Sequence, residues 1–324
     1  MTDLHLEIRP LRAPDDYPAL SEMMRLLFDW HVTPEQIALE NANREARFHH
    51  AEFVAEVLHS SVHGGLERRV VGGVEIGHVQ HSHEEGKYRV SIMVHPDFQG
   101  RGIGGALWET AWNHLQTLDA KKLVNMTDSD SPRGLAMLEH RGFKQVWERI
   151  ESRLDTRTVD LTVLEGLDAR LEAQGIRIVS LAALNDPDQW RKLYDLDHAL
   201  MLDVPFGQAV TFPSFEQWHK ETSSDPQFDP AMVWIAVKEG AWIGFTSLET
   251  QPAFFVIGMT GVLPPFRGLG IAKRLKLEGV RYARGHGGLE IRTYNDSVNT
   301  AMLEMNWQMG FKRFRSKLRF ERVL

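Results

Sequence analysis

Apolar residues at Leu20, Met23, Met24 and Leu27 recur at helical spacing, so residues from Pro14 to Trp30 read as an amphipathic helix following a short strand at Leu4 to Leu11. Thr33-Pro34-Glu35-Gln36 supplies an N-cap, a first-turn proline and a glutamine three residues on, which starts a second helix. Strands follow at Glu52 to Leu58, Arg69 to Gln80 and Tyr88 to Val94, separated by His63-Gly64-Gly65 and Glu85-Gly86. A stripe of Ile103, Leu107, Ala111 and Leu115 predicts a helix from Gly102 to Leu118. A strand at Leu123 to Met126, a helix near Ser131 to His140 and closing strands to about Leu154 complete the unit.

The same order then begins again. Ile176 to Leu181 reads as a strand, Asp186-Pro187 and Ser214-Phe-Glu-Gln217 as helix starts, and Met232 to Val237, Trp242 to Leu248 and Phe254 to Val262 as strands before a helix from Gly270 to Arg284. Thr158 to Gln174 is expected to be a connecting helix stopped by Gly175. The halves keep one offset, 168 residues, at Val94-His95-Pro96 against Val262-Leu263-Pro264, Gly102 against Gly270, and Gly142-Phe143 against Gly310-Phe311. That period is a duplicated domain, not a solenoid repeat of roughly 20 to 50 residues. We expect domains at 1–157 and 175–324 joined by 158–174, each an α+β fold with a mixed, mostly antiparallel sheet and helices on both faces.

The 324 residues are enough for two ordinary domains. A net charge of −7 argues against a general nucleic-acid binder, and the absence of cysteine excludes disulfides, thiolate metal sites and a cysteine nucleophile. No leader pattern opens the chain and no apolar run approaches a membrane span, so a cytoplasmic, membrane-free protein is expected.

The chemistry lies at Gln99-Gly100-Arg101-Gly102-Ile103-Gly104-Gly105 and its repeat, Arg267-Gly268-Leu269-Gly270-Ile271-Ala272. Each loop follows a strand and opens a helix, so the first-turn N–H groups face outward from the positive end of a helix dipole, where phosphate oxygens fit. Small residues keep side chains out of the ligand's way and permit positive φ. Gly100-x-Gly102-x-x-Gly105 also satisfies a dinucleotide-binding fingerprint, but Lys273 breaks that pattern in the second copy and the preceding strands look antiparallel.

Both halves resemble the GNAT superfamily of acyl-CoA-dependent N-acyltransferases, whose signature is met by Gln99, Gly102 and Gly104 and by Arg267, Gly270 and Ala272. The family's later Gly-Phe stands at Gly142-Phe143 and Gly310-Phe311. The resemblance implies that acetyl-CoA, as acyl donor, lies where two strands splay. Its pyrophosphate would meet the loop amides and its pantetheine would pair with the strand ending at Val94 or Val262. An amine would attack the thioester directly. Ser131 and Asn299 match the family's helix-start position, and Asn295 joins the cofactor-binding set.

Where the family often places a tyrosine as acid near the CoA sulfur, this chain has Leu138 and Asn306. Asn306 and Tyr294 are therefore candidate donors and Glu249 the candidate base, with Glu75 and His81 as weaker bases in the first half. Asp195, Asp197 and Asp203 with Trp190, Phe206 and Trp218 are candidates to hold a cationic acceptor, though solvated acids and core aromatics use the same letters. His78, His81 and His83 invite a metal, but no carboxylate partner is evident and none is assigned. Phe314, Leu318 and Phe320 alternating with Arg313, Arg315, Lys317 and Arg319 predict a half-buried edge strand with a basic outer face. The expected function is acetyl transfer to a small-molecule amine by a monomer or homodimer, chiefly in the second domain. A non-catalytic acyl-CoA sensor or assembly module is the alternative.

Overall fold

The computed structural model describes residues 5–60, 66–78, 82–205, 207, 210–225 and 227–324. His81, Phe206 and the turn at 63–65 lie outside the described residues. In chain order the elements begin with β1 (Leu6–Pro10), α1 (Tyr17–Phe28), α2 (Pro34–Asn43), β2 (Ala51–Ser60), β3 (Leu66–Gly77) and β4 (Lys87–Val94). There follow α3 (Ile103–Leu115), β5 (Lys122–Asp128), α4 (Pro132–His140), β6 (Lys144–Asp155), α5 (Val163–Glu172), β7 (Ile176–Ser180), α6 (Leu181–Leu184), α7 (Gln189–Met201) and α8 (Phe215–Ser224). The chain ends with β8 (Val233–Lys238), β9 (Ala241–Gln251), β10 (Phe254–Val262), α9 (Ile271–Gly285), β11 (Glu290–Asp296), α10 (Thr300–Gln308) and β12 (Lys312–Val323).

Two compact units result. One comprises Met1–Thr127, Ser131–Trp147 and Leu318–Leu324; the other comprises Asp128–Asp130 and Glu148–Lys317. This differs from a linear cut at residue 157, because each unit takes in a segment from the far side of that cut. Leu318 and Phe320 lie in the first unit's core with Val71 and Val90, while Glu290–Asp296 of β11 pairs with residues 149–155 of β6 in the second. Helix α5 is no free connector either. Its Leu164, Leu167 and Leu171 are buried, and Asp168 accepts from Arg274 Nε at 2.6 Å.

In the first unit β1, β2, β3 and β4 run antiparallel to their neighbours and β5 runs parallel to β4. The second repeats this with β7, β8, β9 and β10 antiparallel and β11 parallel to β10. Both parallel ladders are short. They hold from Lys87↔Lys122 to Arg89↔Val124 and from Phe255↔Ile291 to Ile257↔Thr293, after which β4 runs on to Val94 and β10 to Val262. Unpaired strand ends of this kind leave backbone donors and acceptors that need a partner.

The units differ in the strand before the loop. Register β3–β4 is unbroken from Gly72↔Val94 to Gly77↔Arg89. Register β9–β10 shifts between Ile257↔Leu248 and Thr260↔Thr246, so Gly258 and Met259 together oppose Ser247 in a β-bulge. The bulge is held by side chains. Met259 N–H donates to Ser247 Oγ at 3.1 Å, and Thr246 Oγ1 donates to Met259 O at 3.0 Å.

The expected edge strand is corrected at β12, which has hydrogen-bonded neighbours on both sides. Its basic face meets solvent only in part: Arg313 is exposed and Lys317 partly so, while the other two arginines are covered. Arg315 pairs with Glu151 at 2.9 Å and Asp128 at 3.2 Å, and Arg319 is buried. Phe314, expected on the buried face, is exposed, with the Arg153 guanidinium 3.5 Å from its ring centre.

Candidate active site

Both glycine loops turn through left-handed backbone into the start of a helix. Gly100 and Gly102 have φ of 77° and 84°, Gly268 and Gly270 have 78° and 90°, and these conformations are cheap only for glycine. Gly102 and Gly270 cap α3 and α9 without a side-chain hydrogen bond. The first backbone bonds of the two helices are Ala106 N to Gly102 O and Arg274 N to Gly270 O, so the N–H groups of residues 103–105 and 271–273 have no partner within the helix. A Cβ built at Gly104 meets only Val94 Cγ2, at 3.8 Å, which explains why alanine serves at 272. Gly105 has open space and Ile103 is buried as an anchor.

The residue opening each signature ties its loop to the preceding strand. Gln99 Nε2 donates to Val94 O at 3.0 Å and Arg267 Nε donates to Val262 O at 2.9 Å. Arg267 also pairs with Asp203, and Arg133 donates to Gln99 Oε1 at 3.1 Å. Arg101 turns back onto Asp97 O.

In the second unit a cavity of about 460 Å³ opens onto the loop. Of the residues anticipated from sequence, it gathers Val262, Arg267, Gly268, Gly270, Ile271, Ala272, Asn299 and Asp203. Leu269 packs against the core instead. Asn299 caps α10, its Oδ1 accepting from Met302 N at 3.3 Å; its counterpart Ser131 opens α4 without a side-chain cap bond. Sequence reasoning missed Met259, Thr260 and Gly261 on β10 and Met302 and Met305 on α10, which also line the cavity. The bulge places the β10 residues and the packing of α10 its two methionines, and neither has a letter code.

Glu249 stands beside the bulge: a Cβ on Gly258 would lie 2.6 Å from Glu249 Oε1. Burial raises the pKa of this carboxyl, nearby Asp225 raises it further, and Arg149 works the other way. Arg149 also lies 5.8 Å from the Tyr294 ring centre and donates to Tyr294 O at 3.2 Å. Burial, with Glu151, pushes the Tyr294 phenol up to about 12, which keeps it protonated. Asn306 is fully buried; its Oδ1 accepts from Lys276 Nζ at 2.6 Å and its Nδ2 donates to Asn295 Oδ1 at 2.7 Å.

The first unit disposes of its acids differently. Burial acts to raise Glu75, but His50, Arg89 and Arg44 outweigh it and hold the carboxylate well below the usual range. Arg89 donates to it at 2.7 Å and Arg44 at 3.1 Å, so Glu75 is a poor base. Asn125 Nδ2 donates to Val90 O, one residue beyond the last parallel pair, and bridges the start of the splay. His50, Glu52 and Glu75 approach one another as metal ligands would, yet the two guanidiniums on Glu75 already neutralise it. His78 is buried, its Nδ1 3.0 Å from Lys87 O and its ring tilted against those of His83 and Tyr88.

Around α7, Asp195 is exposed, while burial pushes Asp197 up to about 6. Trp190 and Trp218 meet at 6.2 Å in an aromatic group with Tyr194, Phe215 and Phe228. Among the described residues no helix is long and apolar enough to cross a membrane.

Comparison with known proteins agrees with this geometry. The model of the acetyltransferase (GNAT) family matches residues 18–143 and again 190–311. A mycothiol acetyltransferase of Thermobifida fusca is 24% identical over 94% of this chain and 93% of its own length. One from Thermobispora bispora is 26% identical over 71% of this chain and 75% of its own. A solved tandem GNAT protein from the clavulanic acid biosynthesis pathway superposes with a TM-score of 0.70 at 18% identity, covering 98% of both chains. A GCN5-related N-acetyltransferase from Sphaerobacter thermophilus gives 0.66 at 18% identity over 98% of this chain and 95% of that one.

Proposed function

The chain belongs to the acetyltransferase (GNAT) family, and on that premise we propose that its second unit moves an acetyl group from acetyl-CoA directly to the amine of a small molecule. The observation that carries this reading is the conjunction, in one unit, of a bulged β10, an early-ending β10–β11 ladder and a cavity against the uncapped start of α9. The N–H groups of residues 271–273 would hold the pyrophosphate. The pantetheine would run along the unpaired end of β10.

An amine acceptor reaches the site protonated and must lose a proton before or during attack. Glu249 is the base in this reading, because a carboxylate with a raised pKa accepts a proton more readily than a solvated one. Tyr294, neutral across the working range, is the proton donor on the same side of the sheet. Asp197 and the aromatic residues of α7 and α8 would receive a cationic acceptor with apolar parts. The first unit keeps the loop but has neither the bulge nor a free acid at Glu75. We assign it acyl-CoA binding or support without turnover.

Calorimetric stoichiometry of acetyl-CoA on the wild type, Gly104→Asp and Ala272→Asp tests the loops. A carboxylate among the amides repels phosphate and should delete one site at a time, and unchanged binding in both variants overturns the assignment. Thiol release from acetyl-CoA across an amine panel tests transfer, beginning with the acceptor of the mycothiol acetyltransferases. Turnover should survive Gly104→Asp and vanish in Ala272→Asp.

A further inference from the structure

The duplication supplies an internal control for one buried cluster. At the 168-residue offset, Lys276 corresponds to Trp108, Asn306 to Leu138 and Phe311 to Phe143. In the first unit Trp108 and Leu138 are buried in an apolar core, with Trp108 edge-on to Phe143 at 5.9 Å. In the second unit the same socket holds an amine and an amide, both essentially inaccessible, with Lys276 Nζ 5.6 Å from the Phe311 ring centre. Burying a lysine is costly unless its hydrogen bonds are met, and the first unit shows that this fold accepts an apolar filling at the same place.

The hydrogen bonds have one polarity. Lys276 Nζ donates to Asn306 Oδ1, which turns Asn306 Nδ2 towards Asn295, and Asn295 Oδ1 accepts from it. With its oxygen engaged, Asn295 is left with its own NH₂ group to offer. Asn295 is half-buried and lies two residues beyond Thr293, the last β11 residue paired with β10.

We propose that Lys276 is a positioning residue: through Asn306 it orients Asn295 so that an N–H group points into the splay and stabilises negative charge on the departing CoA sulfur. When the carbon–sulfur bond breaks the electron pair stays on sulfur, and Asn295 donates a hydrogen bond to it without giving up its proton. Asn306 and Phe311, which meet Lys276, and Asn295 beyond them are neutral, so the aligned amide dipoles carry the effect. The proposal rests on the acetyl-CoA reading of the second unit.

The test is the thiol pKa of bound CoA, followed by thiolate absorbance in the ultraviolet, in a Gly104→Asp background that leaves one site. Wild-type residues at the cluster should hold the bound thiol about one unit below free CoA, a tenfold shift in its ionisation. Lys276→Met/Asn306→Leu, which makes the socket apolar as Trp108 and Leu138 make the first unit's, should fold, bind CoA within about threefold at low pH, and return the thiol to the value of free CoA. Asn295→Leu should do the same with Lys276 and Asn306 intact, which keeps the test decisive if the double variant fails to fold. An equal thiol pKa in folded wild-type and variant proteins, or no shift in the wild type, overturns the proposal. Failure of the wild type to bind CoA instead overturns the cofactor reading beneath it.

Discussion

Arg267 Nε donates to the carbonyl of Val262 at 2.9 Å, so the first residue of the loop signature is a clamp on the last residue of β10. Gln99 does the same to Val94 with a side chain of different charge, which makes the hydrogen bond, not the charge, the shared requirement. Arg267→Gln should therefore keep acetyl-CoA affinity within about threefold, whereas Arg267→Ala should lose roughly five- to tenfold, the worth of about 1 kcal/mol. Calorimetric titration of both variants checks this.

Gly258 leaves room for the Glu249 carboxylate. In Gly258→Ala the new Cβ would stand 2.6 Å from Glu249 Oε1 and 3.0 Å from Ser247 Oγ, both at the ends of side chains that can move. The fold should survive with a loss of about 1 kcal/mol from the displaced Ser247–Met259 bond, while kcat falls much more than acetyl-CoA affinity. Chemical denaturation and steady-state kinetics together separate the two effects.

As the proposed base, Glu249 should set an acid limb in the rate profile. A base must be ionised, so kcat should fall as pH drops through a pKa above the ordinary carboxylate range, and Asp225→Asn should move that limb to lower pH. Glu249→Gln should remove the limb and cost roughly a hundredfold or more in kcat. The sign for stability is the reverse. A raised folded-state pKa contributes stability below the unfolded value that is lost as pH rises, so Glu249→Gln should be the more stable protein at neutral pH.

Lys276 makes stability depend on alkali. Burial pushes its amine down to about 7 from 10.5, so between those values the unfolded chain binds a proton that the folded chain does not. Stability should rise across that window, with a slope of at most about 1.4 kcal/mol per pH unit from this group, and level off at its lower value below about 7, where both states bind the proton. Lys276→Met should flatten this part of the pH dependence in urea unfolding curves.

The chain's letters alone determined the duplication, the α+β class, the capping box at Thr33 and the two glycine turns that open helices, because each depends on local periodicity or on a backbone conformation that few residues tolerate. Glu249 and Tyr294 were readable as candidates, since both stand near the ends of strands beside a recognisable loop. Tertiary structure alone decided which unit has the bulge opposite Ser247, that Glu75 is held by Arg44 and Arg89, and that Asn306 answers to a buried lysine. It also decided that β12 is interior and that Leu318–Leu324 belongs with the first unit. The reason is physical. A register shift is a relation between two strands, and an ion pair or buried amide is a relation between residues 14 to 31 positions apart, so neither leaves a period in the sequence that a local reading can detect.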